Sequence, residues 1–269
     1  MIRKLYPGGK KKAFNITYDD GVYQDLRFVM LMNKYGLRGT FNLNSQLMEQ
    51  EFIWQHESGL KIRRLPKELA LHLYDGHEVA SHSLTHPDMH WLNEGQIMYE
   101  LGHDKWQLEQ LFGREVTGFA LPFDYYSDTI ARCAERLGFE YSRCSEETYS
   151  YQPPEDYYHW AAGTYHVMPG FRAFVEGFFH TDEELALCQI VGHSYDLDVG
   201  DMWDEMEDIL RRVAADENTA SMTNAELVRY LKAMRAAEIS DKYILNKSEQ
   251  TLWFEVDGKT ISLAPGEEL

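Results

Sequence analysis

The stretch AFNITYDDG, residues 13–21, decides the fold. Ala13–Tyr18 reads as a short, largely apolar β-strand, and it stops abruptly on two adjacent carboxylates and a glycine. Two neighbouring carboxylates cannot both be buried cheaply as ions. The segment is therefore either a solvated Asp-Gly turn or a strand end that delivers charge to a cleft. Working outward, apolar runs of strand length recur at Gly39–Leu43, His77–Ser81, Val116–Leu121, Tyr141–Cys144 and Cys188–Gly192, and Tyr157–Val167 is strand-like and rich in aromatics. Between them lie helical patterns at Val22–Tyr35, Pro66–Tyr74, Glu94–Phe112, Ser127–Leu137 and Met202–Ala214. Thr181-x-x-Glu184 and Thr223-x-x-Glu226 have the spacing of capping boxes. The first predicts a short helix after Thr181, and the second a helix reaching Ala237.

Strands alternating with helices predict βαβ units and a parallel sheet. Six or seven such units fit a closed or nearly closed α/β barrel better than an open sheet. The tail breaks the alternation. Ile244–Asn246, Thr251–Val256 and Thr260–Leu263 read as strands, with Asp257-Gly258 as a hairpin turn. The expected organisation is a barrel over residues 1–240 and a small β appendage over residues 241–269, packed on it.

Composition narrows the function. The chain has 269 residues and a formal net charge of −18. An acidic surface repels phosphate backbones and anionic lipids, so neither nucleic acid nor a membrane is expected as a partner. Three cysteines without a Cys-x-x-Cys pair form neither a disulfide framework nor a thiolate zinc site. The basic segment Met1–Lys12 lacks the apolar run of a secretory signal, and no apolar stretch is long enough to span a bilayer. A cytoplasmic location is the resulting expectation. Oligomeric state is left open.

Three polar clusters stand directly after predicted strands: Asp19-Asp20-Gly21, His82-Ser83-Leu84-Thr85-His86, and His193. In parallel α/β barrels the carboxyl ends of the strands share one face, and sites assemble there from distant segments. Two imidazoles four residues apart and one carboxylate make an N/O ligand set suited to zinc or a similar metal.

Taken in order, these motifs resemble the polysaccharide deacetylase family, that is, the NodB-homology domain of carbohydrate esterase family 4. Its first motif reads here as Thr17-Tyr18-Asp19-Asp20-Gly21, its second as His82-Ser83-Leu84-Thr85-His86, and its fifth as Val191-Gly192-His193. The likeness runs over roughly residues 13 to 235. It implies a distorted, incomplete (β/α)7-type barrel and hydrolysis of an N-acetyl or O-acetyl group on a carbohydrate. It further implies Asp19 as general base, His193 as general acid, and Asp20, His82 and His86 as ligands of a divalent metal. That metal is zinc in the first instance, with cobalt, nickel or manganese as alternatives. The Phe123 amide, after Pro122, would serve the oxyanion, and Val191 and Trp160 would wall the acetyl methyl pocket. Two alternatives stay open: a carbohydrate-binding protein on the same fold, and an amino-sugar deformylase.

The chain departs from the family pattern in two places. The third motif, R-x-P-Y/F, reads Ala120-Leu121-Pro122-Phe123, with Asp124 where glycine is usual. Without that arginine, another cation positions Asp19 or the activity is altered. The fourth motif is recognisable only loosely around His159-Trp160, which leaves Asp196 as a candidate partner for His193. Trp54, Tyr125, Tyr126 and Trp160 are candidate sugar-stacking aromatics, and the long connection Ser45–Leu65 is a candidate cleft wall.

Overall fold

The computed structural model describes residues 2–50, 52–240 and 243–269. Eight parallel strands follow one another around a nearly closed barrel. In spatial order they are Thr164–Tyr165, Ala186–Gly192, Lys12–Asp19, Thr40–Leu43, Glu78–Ser81, Gly118–Ala120, Tyr141–Glu147 and Trp160–Ala162. A ninth, Thr219–Ser221, lies beside Lys12–Asp19. The expected α/β barrel is therefore the observed fold. Every residue of Lys12–Asp19 is buried, as a strand flanked on both sides and covered by helices must be.

Helix ends follow local chemistry. Ser127 caps Asp128–Arg136 by accepting from the Ile130 amide at 3.3 Å. Thr223 and Glu226 form a reciprocal capping box at the start of Asn224–Ala236. The other expected capping box is not one. The segment after Thr181 leads into the strand Ala186–Gly192, and the helix, Phe171–His180, lies before Thr181. Phe171, Phe174, Val175 and Phe178 supply its buried face at helical spacing, a pattern obscured by β-favouring aromatics and Gly177. The aromatic stretch Tyr157–Val167 resolves into two short strands, Trp160–Ala162 and Thr164–Tyr165.

Two apolar clusters fill the molecule. The larger lies between the barrel and its surrounding helices. The second joins the starts of barrel strands, at Ala13, Tyr141, Trp160 and Leu187, to the helix Asn224–Ala236 and the tail sheet. It plugs the amino-terminal end of the barrel and leaves the carboxyl ends free for a cleft. The tail sheet is antiparallel and draws a strand from the other terminus, because Ile2–Leu5 pairs with Leu252–Val256, which pairs with Lys259–Leu263. This sheet thus joins strands from both sides of residue 240, and Asp241 and Lys242 at that boundary lie outside the described residues. Among the described residues, no helix is long and apolar enough to cross a membrane.

The connection over residues 45–65 is ordered into the helix Ser45–Glu49 and an antiparallel ribbon, Ile53–Gln55 with Lys61–Arg63. Its far end docks on the Asp-Asp-Gly turn. Leu65 donates to the Gly21 carbonyl at 2.8 Å, and Tyr23 donates to that of Arg63 at 3.0 Å. Gly21 suits this turn. Its φ is +61°, and a Cβ there would stand 2.7 Å from Leu43 Cδ2.

Candidate active site

A cleft of about 520 Å³ opens at the carboxyl ends of the barrel strands. Asp19, Asp20, His82, His86 and His193 all line it. So do Leu47, Phe52, Trp54 and Arg64 from the 45–65 connection, which thus forms the expected wall. Asp20, His86, Phe123 and Asp124 carry positive φ values of 85°, 55°, 54° and 57°. Four cleft-lining residues in the left-handed region are held there by the surrounding scaffold.

Asp20, His82 and His86 converge. The Oδ1 atom of Asp20 stands 3.8 Å from His82 Nε2 and 3.7 Å from His86 Nε2. His82 Nδ1 faces the Ala120 carbonyl at 2.8 Å. A carbonyl only accepts, so the proton is on Nδ1 and the Nε2 lone pair faces Asp20. Burial drives the pKa of His82 down to about 4 and also lowers that of His86, so both imidazoles are neutral near neutral pH. Burial opposes ionisation of Asp20. Arg64, followed by His193, His86 and His82, nevertheless holds its carboxyl well below the usual carboxylate range. Arg64 Nη1 lies 2.8 Å from Asp20 Oδ1, but its N–H is directed at the Asp20 main-chain carbonyl. Asp20 Oδ1 is thus buried without a hydrogen-bond donor. A buried carboxylate oxygen that accepts no hydrogen bond, ion-paired with Arg64 and facing two neutral imidazole nitrogens, fits a divalent cation.

Asp19 is bound differently. Its Oδ1 accepts from Asn42 Nδ2 at 2.7 Å and from Arg143 Nη2. Burial raises its pKa, but the charges of Arg143, His82 and His193 and the Arg143 hydrogen bond together outweigh this, and the net shift is downward. Arg143 itself is fully buried. Arg143, on the strand beside Ala120, is thus a cation in contact with Asp19.

His193 belongs to a third cluster. Its Nδ1 lies 3.1 Å from Asp196 Oδ2 and 2.8 Å from the Tyr165 hydroxyl, which itself donates to Asp196 Oδ2 at 2.6 Å. Its ring stacks on Tyr195 at 4.7 Å, and its Nε2 faces Asp20 Oδ2 at 3.9 Å. Burial acts to lower the His193 pKa. The Asp196 hydrogen bond and the Asp20, Asp196 and Asp19 charges overcome that and raise it to about 9.

Several expected positions lie elsewhere. Trp160 is buried in the amino-terminal plug, edge-on to Tyr141, and lines no part of the cleft. As the first residue of its strand it is at the opposite end from the site. Val191 is fully buried and is also absent from the cleft lining. Pro122 is buried at the start of the Pro122–Asp124 turn, whereas Phe123 is exposed and stands edge-on to His86 at 4.7 Å. Of the candidate stacking aromatics only Trp54 faces the cleft. Tyr126 stacks on His159, and Tyr125 packs against His90. The lining residues not singled out from the sequence include Leu47, Phe52, Arg64, Ser145, Tyr165 and Tyr195.

The family model for polysaccharide deacetylases matches residues 7–142. The chain belongs to the polysaccharide deacetylase family. It is 25% identical over 134 residues to YxkH of Bacillus subtilis (strain 168), which covers 48% of this chain and 43% of YxkH. The chain thus matches less than half the length of that relative. Two solved structures share the fold. The family 4 carbohydrate esterase from Streptomyces lividans in complex with acetate has a TM-score of 0.52 at 17% identity, covering 79% of this chain and 92% of its own. The family 4 acetyl xylan esterase from Clostridium thermocellum in complex with a cobalt ion has a TM-score of 0.51 at 16% identity, covering 80% and 89%.

Proposed function

We propose that this chain of the polysaccharide deacetylase family is a metal-dependent hydrolase that removes acetyl groups from a carbohydrate. The observation that carries the reading is the arrangement of two adjacent aspartates with different partners. Asp20 faces two neutral histidines, and Asp19 is hydrogen-bonded away from them by Arg143 and Asn42. Asp20, His82 and His86 would hold a divalent metal, with zinc the first candidate and cobalt, nickel and manganese alternatives. When bound it supplies a Lewis acid that polarises a carbonyl and lowers the pKa of water.

The protein's own groups then divide the remaining work. With Oδ1 occupied by Arg143 and Asn42, Asp19 keeps Oδ2 to take a proton from an attacking water. Phe123 lines the cleft, and its amide would donate to a developing oxyanion. His193, protonated at neutral pH and held by Asp196 and Tyr165, would hand a proton from Nε2 to the leaving amine or alcohol. Trp54 and Phe52, stacked at 6.2 Å, offer a flat apolar wall for a sugar ring. The test is release of acetate from acetylated chitin or xylan oligosaccharides by metal-loaded protein, compared with formate from N-formyl amino sugars. A well-folded chain that binds no divalent metal, or releases no acetate, would defeat the reading.

One pH prediction follows from the His193 cluster. A general acid works while protonated, so activity is present below its pKa, which the Asp196 hydrogen bond and neighbouring carboxylates raise above the ordinary histidine value, and is lost as pH rises through it. Asp196→Asn removes the leading support for that raised value. The alkaline limb of kcat is expected to move to lower pH by about one unit or more. A pH–kcat profile with an unmoved alkaline limb would separate Asp196 from His193.

A further inference from the structure

The barrel strands Gly118–Ala120 and Tyr141–Glu147 pair in parallel, with Gly118 opposite Tyr141 and Ala120 opposite Arg143. Alternate residues of a strand share a face, so 118 and 120 stand together, as do 141 and 143. One strand presents two minimal side chains there, and its neighbour presents two of the largest fully buried ones. The complementarity is tight: a Cβ on Gly118 would lie 2.0 Å from the Tyr141 hydroxyl. Arg143 fills the corresponding space beside Ala120 and reaches Asp19, 124 residues earlier in the chain.

The other departure at this turn contacts the same arginine through one residue. Asp124 Oδ1 accepts from both the amide and the hydroxyl of Ser145 at 2.6 Å, and Ser145 Oγ accepts from Arg143 Nη1 at 3.2 Å. Ala120, Asp124, Arg143 and Ser145 thus form one set of contacts ending on Asp19. A guanidinium buried this completely is costly unless it is paired, and Asp19 is the carboxylate that pairs it.

We infer that Arg143 is the positioning residue of Asp19, supplied by the strand beside the one that carries Ala120, with Asp124 and Ser145 bracing it. This rests on the deacetylase reading for its kinetic consequence only. The pairing orients Asp19 by a charge-assisted hydrogen bond on Oδ1 and leaves the other oxygen to the cleft.

The test uses the metal-loaded chain and three variants. Arg143→Ala is expected to lower kcat about 10²-fold while KM and bound metal stay near wild type, because orientation is lost and substrate binding is not. Arg143→Lys recovers part of that loss. Ala120→Arg/Arg143→Ala, which returns a guanidinium from the facing position, recovers more than Arg143→Ala alone. A double variant no better than Arg143→Ala, or an Arg143→Ala chain with unchanged kcat, overturns the inference. Unfolding of Asp19→Asn, Arg143→Met and the double variant reads the pairing without any activity. Losses smaller together than their sum support it, and additive losses overturn it. A wild-type chain without acetate release but with coupled unfolding would defeat the deacetylase reading and leave the pairing standing.

Discussion

Replacing Asp20 by Asn is expected to strip the chain of its divalent metal and, with it, of acetate release. The carboxylate is the only anionic member of the Asp20, His82, His86 set. Its Oδ1 is the buried atom lacking a hydrogen-bond donor. An amide supplies no charge to offset a dication, and an amide NH2 turned toward the two Nε2 atoms would oppose a cation directly. Metal chemistry of this kind supplies several kcal/mol of charge stabilisation, so activity is expected to fall by about three powers of ten or more. Asp20→Asn also removes the counter-charge of buried Arg64, so a loss of fold could mimic a loss of metal. His82→Gln gives the control, since it leaves the Asp20–Arg64 pair in place and removes an imidazole. Metal content of the dialysed proteins, measured beside acetate release and circular dichroism, reads the outcome. Wild-type metal content in both folded variants would sink this assignment of the ligands.

The parts of this site visible in the sequence are those written locally. Asp19 ends a strand, Asp20, His82 and His193 directly follow one, and His86 comes four residues after His82, so the alternation of elements places them on one face before any coordinates are known. Arg143 is not local in this sense. Its partner lies 124 residues away, and only the strand register brings Ala120 and Arg143 side by side. A charged residue inside the predicted strand Tyr141–Cys144 is the one sequence signal that marks it. Trp160 shows the reverse error. An aromatic beside a histidine resembles a binding residue, but its position at the start of a strand commits it to the plug at the opposite end of the barrel. Thr181 misleads for a related reason. Thr-x-x-Glu carries the same letters at either end of a helix, and here the Thr181 hydroxyl accepts from the Glu183 amide at 3.3 Å in a turn after the helix has ended. Arg64 escaped because a 21-residue connection gives no hint that its far end folds back onto Asp20.

Asp19→Asn separates the two neighbouring carboxylates. Asn keeps the shape of Asp and its carbonyl oxygen still accepts from Arg143 and Asn42 in place of Oδ1. The amide nitrogen then occupies the Oδ2 position, where it cannot take a proton. Positioned proton transfer contributes about 10² to 10⁴ in rate, so kcat is expected to fall by that factor while KM and metal content hold. The comparison with Asp20→Asn is the informative one, because two adjacent residues with the same chemistry should fail differently: one with its metal gone, the other with its metal present. With an uncharged amide at position 19, Arg143 is left as a buried cation without its counter-ion, so the melting temperature should also fall. If Asp19→Asn keeps more than about a tenth of wild-type kcat, a loss below the smallest effect of a missing base, Asp19 is not the group that takes the proton. If it loses metal as Asp20→Asn does, the division of labour between the two aspartates is wrong.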